Sequence, residues 1–213
     1  MLAEKSDVPA FWIIAGPNGS GKSTLYGSKR DAVYGNTIIT DASRPFWIIN
    51  PDLLASRIRS VERLTQQAAN LAAVERIETW LHASIDAHQS IGVETVLSTD
   101  KYRRLVQAAK RRGYEVRLIY VILQNPDLNV ERVRLRVQKG GHNVPANKVR
   151  ERWTRSLNQL PWFLNQADWA LLFDNSKALR VIGRKQRGVV ELDPTAPSDV
   201  RTAVEKIQSA RKP

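Results

Sequence analysis

The sequence predicts an α/β fold, a mainly parallel sheet with helices on both faces. Three features lead to it. Short apolar runs alternate with stretches of helical periodicity, the strand–helix pattern from which parallel sheets are built. Several runs are apolar at nearly every position, as suits strands covered on both sides. A glycine-rich loop follows the first run and leads into the first helix.

Taken in order, candidate strands fall at residues 11–15, 46–49, 93–97, 116–123, 169–173 and 179–182. The fourth is rich in β-branched side chains. Asn50 followed by Pro51 reads as a helix cap with proline at the first helical position. Residues 66–89 carry Leu71, Val74, Ile77, Leu81 and Ile85 at helical spacing. Residues 102–112 form a shorter helix that stops at Gly113. Asn125 and Pro126 start another helix, with Val130, Val133 and Val137 on one face. A further helix runs from 146 to about 164 with Val149, Trp153, Leu157 and Leu160 inward, and Pro161 is expected to kink or end it early. The polar loop 139–145, with its glycine pair, is expected to be mobile, and residues 198–211 close the chain as an amphipathic helix.

Length and composition narrow the class. The chain has 213 residues, 42% of them hydrophobic, enough for one ordinary domain over 1–213, with a lid at about 126–160, and too apolar for disorder. It has no Cys, which excludes a disulfide framework, a thiolate zinc site and a cysteine nucleophile. Lys and Arg total 33 against 21 Asp and Glu, a net charge of +12, which fits an anionic partner (nucleic acid, membrane headgroups or a phosphorylated small molecule) or a basic surface that binds nothing through its charge. Residues 1–10 lack the apolar region of a signal peptide, and the run 11–15 is too short to cross a bilayer. A cytoplasmic protein without a membrane role is expected.

The strongest motif is Gly16-Pro17-Asn18-Gly19-Ser20-Gly21-Lys22-Ser23-Thr24, which fits G-x-x-x-x-G-K-[ST] between a strand and a helix. Glycines let backbone N–H groups converge on phosphate oxygens, and the helix N-terminus adds partial positive charge. Lys22 is placed for the β- and γ-phosphates, the Ser23 hydroxyl for Mg²⁺ and the Thr24 hydroxyl for the α-phosphate. A nucleoside triphosphate site of the P-loop type follows.

Such a site needs a carboxylate. Three strands end near one, at Asp52, Asp100 and Asp174. Asp174 is followed by Asn175, so the second carboxylate that a motor or transporter ATPase needs is missing. Asp52 stands in the first turn of a helix at the ligand-binding edge of the sheet, where it either works on substrate or merely satisfies the helix N-terminus. Glu94 interrupts an apolar strand, which is costly unless the carboxylate is paired, working or facing solvent. Arg132, Arg136 and Lys139 form a stripe on one helix; Lys148, Arg152 and Arg155 form another on the next, with Arg150 at its flank. Two cationic arms joined by the Gly140-Gly141 loop suit a lid over a triphosphate. His142 in that loop is placed for phosphate or substrate, or for holding the turn. A second basic cluster, Lys101 to Arg112, reads as a solvated helix surface or a nucleic-acid patch.

The ordered set Ala15 to Thr24, Ile49-Asn50-Pro51-Asp52, Glu94-Thr95-Val96-Leu97-Ser98, Gly113-Tyr114-Glu115-Val116, Arg136 to Pro145 and Arg150-Glu151-Arg152-Trp153 resembles the zeta toxin family of P-loop kinases over roughly residues 11–176. The resemblance implies a nucleotide-kinase-like fold with a closing helical lid. It implies ATP and Mg²⁺ as cofactors and phosphorylation of the 3′ sugar hydroxyl of UDP-N-acetylglucosamine, a nucleotide sugar. Asp52 would be the general base; Glu94, with Thr95 and His142, would face the substrate; Arg136 and one or both of Arg150 and Arg152 would clamp the γ-phosphate. Pro51 departs from the alanine common in the second motif, and residues 27–44 look like an insertion. About ten residues precede the first strand, too few for a fused helical antitoxin, so any antitoxin is expected as a separate chain. The competing expectations are a kinase of another phosphorylated metabolite, a nucleic-acid kinase or nucleic-acid-binding ATPase, which is not favoured, and a non-catalytic nucleotide-binding regulator.

Overall fold

The computed structural model describes residues 8–26 and 47–209. Its centre is a seven-stranded sheet in the order β2-β3-β1-β4-β5-β6-β7. The strands are β1 Ala10–Ala15, β2 Trp47–Ile49, β3 Ile91–Thr95, β4 Glu115–Ile122, β5 Trp169–Asp174, β6 Arg180–Gln186 and β7 Val189–Leu192. β2 to β5 and β1 pair in parallel, while β6 and β7 add antiparallel at one edge. All six residues of β1 are buried, because β3 and β4 flank it and both its faces are covered. Phe11, Ile13 and Ala15 point into the larger core, Trp12 and Ile14 into the smaller one, as the two-residue period of a strand dictates.

Helices fill the connections: α1 Lys22–Tyr26, α2 Pro51–Glu62, α3 Gln66–Asp86, α4 Arg103–Arg111, α5 Pro126–Gln138, α6 Ala146–Gln166 and α7 Ser198–Ser209. α3, α4, α6 and α7 bury Ile77, Val106, Leu160 and Val204 on one face of the sheet; α1 buries Leu25 on the other. The parallel strands end on the same edge, so the loops after β1, β2, β3 and β4 converge there.

Several expectations change. Leu71 and Val74 on α3 are 62% and 37% exposed, and Ala69 and Ala73 are buried in their place. The first half of α3 packs on Ala55 and Ile58 of α2, and small side chains allow that close approach. Pro161 does not end α6, which runs on to Gln166 with Leu160, Phe163 and Leu164 buried around the proline. The strand expected at 93–97 closes earlier, at Thr95, since Leu97 takes a left-handed φ of 58°. The edge expected at 179–182 is a hairpin, β6 and β7, turned by Arg187 and Gly188 at φ 49° and 79°. Phe46 and the 27–44 insertion lie outside the described residues. Among the described residues no helix is long and apolar enough to cross a membrane.

Candidate active site

The loop after β1 turns on three glycines with positive φ: Gly16 at 138°, Gly19 at 75° and Gly21 at 98°. Gly16 passes so close to the next strand that a Cβ would stand 2.0 Å from the Val121 carbonyl oxygen. Three side chains hold the loop from outside. Asn129 Nδ2 on α5 donates to Asn18 O at 2.7 Å, Arg152 Nη1 on α6 to Asn18 Oδ1 at 3.3 Å, and Asn175 Nδ2 after β5 to Ser20 O at 2.9 Å. Arg132 Nη2 donates in turn to Asn175 O at 2.7 Å. None of these partners stands out in sequence except Arg132 and Arg152.

Lys22 folds back over the loop, its Nζ donating to Gly16 O at 2.7 Å and Pro17 O at 3.0 Å. Burial pushes its pKa below the usual lysine range; Glu94 and Asp52 work against that shift and Arg136 with it. Ser23 Oγ donates to Glu94 Oε2 at 2.9 Å, and Glu94 Oε1 lies 4.0 Å from Lys22 Nζ. The carboxylate in the apolar strand is therefore paired. Asn50 caps α2 as the sequence implies, its Oδ1 accepting from Leu53 N at 3.1 Å. The first turn of α2 then presents Asp52, exposed, toward the loop.

Asp52, Glu94, Lys22, Ser23 and Thr24 share one cavity of about 320 Å³ with Arg132 and Arg136 of α5. Arg136 Nη2 donates to the His142 carbonyl at 2.8 Å, and its Nε is buried without a hydrogen-bond partner. A Cβ on Gly141 would come 2.5 Å from Arg136 Cγ, so that glycine lets the arginine lie along the loop. The His142 side chain is exposed, and the residue reaches the site through its backbone. Thr95 Oγ1 accepts from Leu97 N at 3.0 Å and supports the turn after β3. Arg150 does not join the cavity: its Nε donates to Asp127 Oδ1 at 2.7 Å on the exposed side of the α5–α6 hairpin. Two positions apart on a helix, Arg150 and Arg152 point about 160° apart, and Arg152, also outside the cavity lining, turns to Asn18. Arg136→Ala is expected to cost about 10²- to 10³-fold in kcat/KM. Arg152→Ala should cost more than Arg150→Ala, as steady-state kinetics on the three variants will show.

Asp174 is committed to the fold. It is buried and accepts from Gln124, Ser176 and Arg180. Burial alone would raise its pKa, but the Ser176 and Arg180 hydrogen bonds outweigh it and hold the carboxyl below the usual 3.8. A depressed carboxyl stabilises the fold fully above the unfolded value and loses that contribution as pH falls below it toward the folded value. Asp174→Asn should cost about 1–3 kcal/mol at neutral pH. The gap from wild type should narrow in melting curves taken as pH falls below 3.8.

Part of the second basic cluster is engaged. Arg103 Nη2 donates to Gln159 and its guanidinium lies over Trp162; Lys110 pairs with Asp168 and Arg112 with Asp86. Among the described residues no group of three or more His, Asp or Glu is placed to hold a metal by itself. The Ser23 hydroxyl and the Glu94 carboxylate are nevertheless hard oxygen groups at the mouth of the phosphate loop. They fit Mg²⁺, which is usually held by few protein groups together with phosphate oxygens and water.

A lysine-bearing glycine loop on the central strand, facing an acidic helix start and overhung by a cationic helical hairpin, is the arrangement of the P-loop kinase fold. The chain belongs to the zeta toxin family, whose model matches residues 2–195. An uncharacterized protein of Haemophilus influenzae is 29% identical over 138 residues, 65% of this chain and 88% of that one. Among solved structures, the AvrRxo1-ORF1:-ORF2 complex with ATP superposes with a TM-score of 0.67 at 17% identity, over 96% of this chain and 65% of that one. This chain thus spans about two thirds of the AvrRxo1 chain it matches. The PezAT chromosomal toxin-antitoxin system of Streptococcus pneumoniae gives a TM-score of 0.57 at 16% identity, over 97% and 88% of the two chains. At these identities the structural likeness is one of fold.

Proposed function

We propose that this protein transfers the γ-phosphoryl group of ATP to an alcohol, and that the alcohol is the 3′ sugar hydroxyl of UDP-N-acetylglucosamine. The observation that carries the reading is the shared cavity, in which Asp52 faces the phosphate loop, Lys22 and Arg136. The acceptor oxygen attacks the γ-phosphorus as the bond to the bridging oxygen of ADP breaks, and Asp52 takes the hydroxyl proton. Lys22 and Arg136 offset charge on the transferring group, and Arg152 keeps the loop in place through Asn18. Ser23, with Glu94 beside it, would hold Mg²⁺, which would supply positive charge against the triphosphate. The α5–α6 hairpin serves as the lid, with Arg132 and Arg136 on its inner side.

The family supports the phosphotransfer reading, and the ATP named in one related structure supports the donor. The toxin-antitoxin system named in another supports a separate protein partner that restrains the enzyme. A cytoplasmic setting follows from the donor and the nucleotide-sugar acceptor. The nucleic-acid reading loses ground because Arg103, Lys110 and Arg112 are bound to neighbouring side chains.

The test is a mass-spectrometric screen of ATP and Mg²⁺ with nucleotide sugars, other phosphorylated metabolites, nucleosides and oligonucleotides. One added phosphoryl group on UDP-N-acetylglucosamine is the expected result. Addition to an oligonucleotide alone would replace this reading with the nucleic-acid one.

A further inference from the structure

One side-chain amide joins the candidate base to the metal-side serine. Asn50 Oδ1 accepts from Leu53 N at 3.1 Å, which sets the first turn of α2 and with it Asp52. Its Nδ2 donates to Glu94 Oε2 at 2.9 Å, and the same oxygen accepts from Ser23 Oγ at 2.9 Å. The Glu94 side chain is 13% exposed, and its other oxygen lies 4.0 Å from Lys22 Nζ. Glu94 is therefore turned toward the groups that meet phosphate and cation.

A serine hydroxyl that ligates a cation must use a lone pair and send its proton elsewhere. Glu94 Oε2 receives that proton. Resting on the kinase reading above, we infer that Glu94 acts on the metal side of the site, and that Asn50 is the residue that positions it. Glu94 orients the Ser23 hydroxyl for Mg²⁺ and adds negative charge beside the ion. Without the ion, that same charge faces the triphosphate and repels it. Glu94 thus makes the site select nucleotide that carries its cation, and Asn50 ties this selection to the helix that bears Asp52. Groups that orient metal ligands in this way typically matter tenfold or more to metal affinity.

The experiment measures binding of a non-hydrolysable ATP analogue, in excess Mg²⁺ and in EDTA, to wild type, Glu94→Gln, Asn50→Ser and Asn50→Ala. Wild type should bind the Mg²⁺ form about tenfold or more tightly than the metal-free form. Glu94→Gln should lose most of that ratio, and its affinity in EDTA should equal or exceed wild type, an inversion that a loss of structure does not produce. Asn50→Ser keeps a good helix cap and loses the donor to Glu94. It should melt close to wild type yet lose roughly threefold or more of the Mg²⁺ ratio. Asn50→Ala should show the same loss of ratio and a lower melting temperature. An unchanged ratio in both Glu94→Gln and Asn50→Ser would overturn the inference, as would wild type that binds neither form. Loss of the ratio in a protein that phosphorylates no alcohol would uphold the metal-side role and remove the kinase reading alone.

Discussion

Asp52→Asn will lower kcat by about 10²- to 10⁴-fold while the protein keeps its fold and its affinity for nucleotide. Asparagine keeps the size and the hydrogen-bonding oxygen of the side chain but cannot take a proton at neutral pH. The position tolerates the change: Asp52 is exposed in the first turn of α2, and the cap of that helix is made by Asn50. The cost to stability should stay near the few tenths of a kcal/mol that a first-turn carboxylate contributes through the helix dipole. Because Asp52 stands on α2 and not in the phosphate loop itself, KM for ATP should change little. The measurement is paired steady-state kinetics and nucleotide binding. A fall in kcat that is matched by an equal fall in nucleotide affinity would make Asp52 a binding residue instead.

Gly16→Ala will produce the largest loss of stability of any single methyl added to the chain's phosphate loop. Its Cβ would stand 2.0 Å from the Val121 carbonyl oxygen, and that carbonyl belongs to β4, the strand beside β1. Neither group has room to yield, because both strands are buried at the centre of the sheet. Gly16 also holds a φ of 138°, where an L side chain is strained whatever the space. These effects together place the cost at about 4 kcal/mol or more, a drop of roughly 8–16 °C in melting temperature for a chain of this size. Gly140→Ala is the internal comparison. Gly140 has a left-handed φ of 82° and nothing within 4 Å of its would-be Cβ, so only the backbone term of about 1 kcal/mol remains. Thermal melts of the two variants separate contact from conformation.

The sequence made some parts of this molecule plain and hid others, for reasons that differ by residue. The phosphate loop was legible because its chemistry leaves little freedom: glycines where backbone must approach phosphate, a lysine and hydroxyls at fixed offsets. The start of α2 was legible from Asn50 and Pro51, whose cap forms as expected. Asn129 and Asn175 were not, since each holds the loop across more than a hundred residues of chain and nothing local marks them. The surroundings of Glu94 were half legible: a carboxylate in an apolar strand is costly unless it is paired, working or solvated, but only the fold, which sets β3 beside β1, brings Ser23 and Asn50 to it. Helix phase was the other hidden quantity. The periodicity of α3 offered Leu71 and Val74 as core, yet its partner α2 selects Ala69 and Ala73. The same ambiguity left open which of Arg150 and Arg152 would serve the site, while the fold sends one to Asp127 and the other to the loop.

The most direct measurement follows the γ-phosphate itself. ATP labelled at that position is incubated with Mg²⁺, UDP-N-acetylglucosamine and either wild type or Asp52→Asn, and the labelled products are separated. The account predicts that wild type moves the label into the nucleotide sugar, one for each ADP formed, and that Asp52→Asn does so at a rate lower by at least about a hundredfold. Label that remains in ATP or appears only as inorganic phosphate, with this acceptor and with every other alcohol tried, would contradict it.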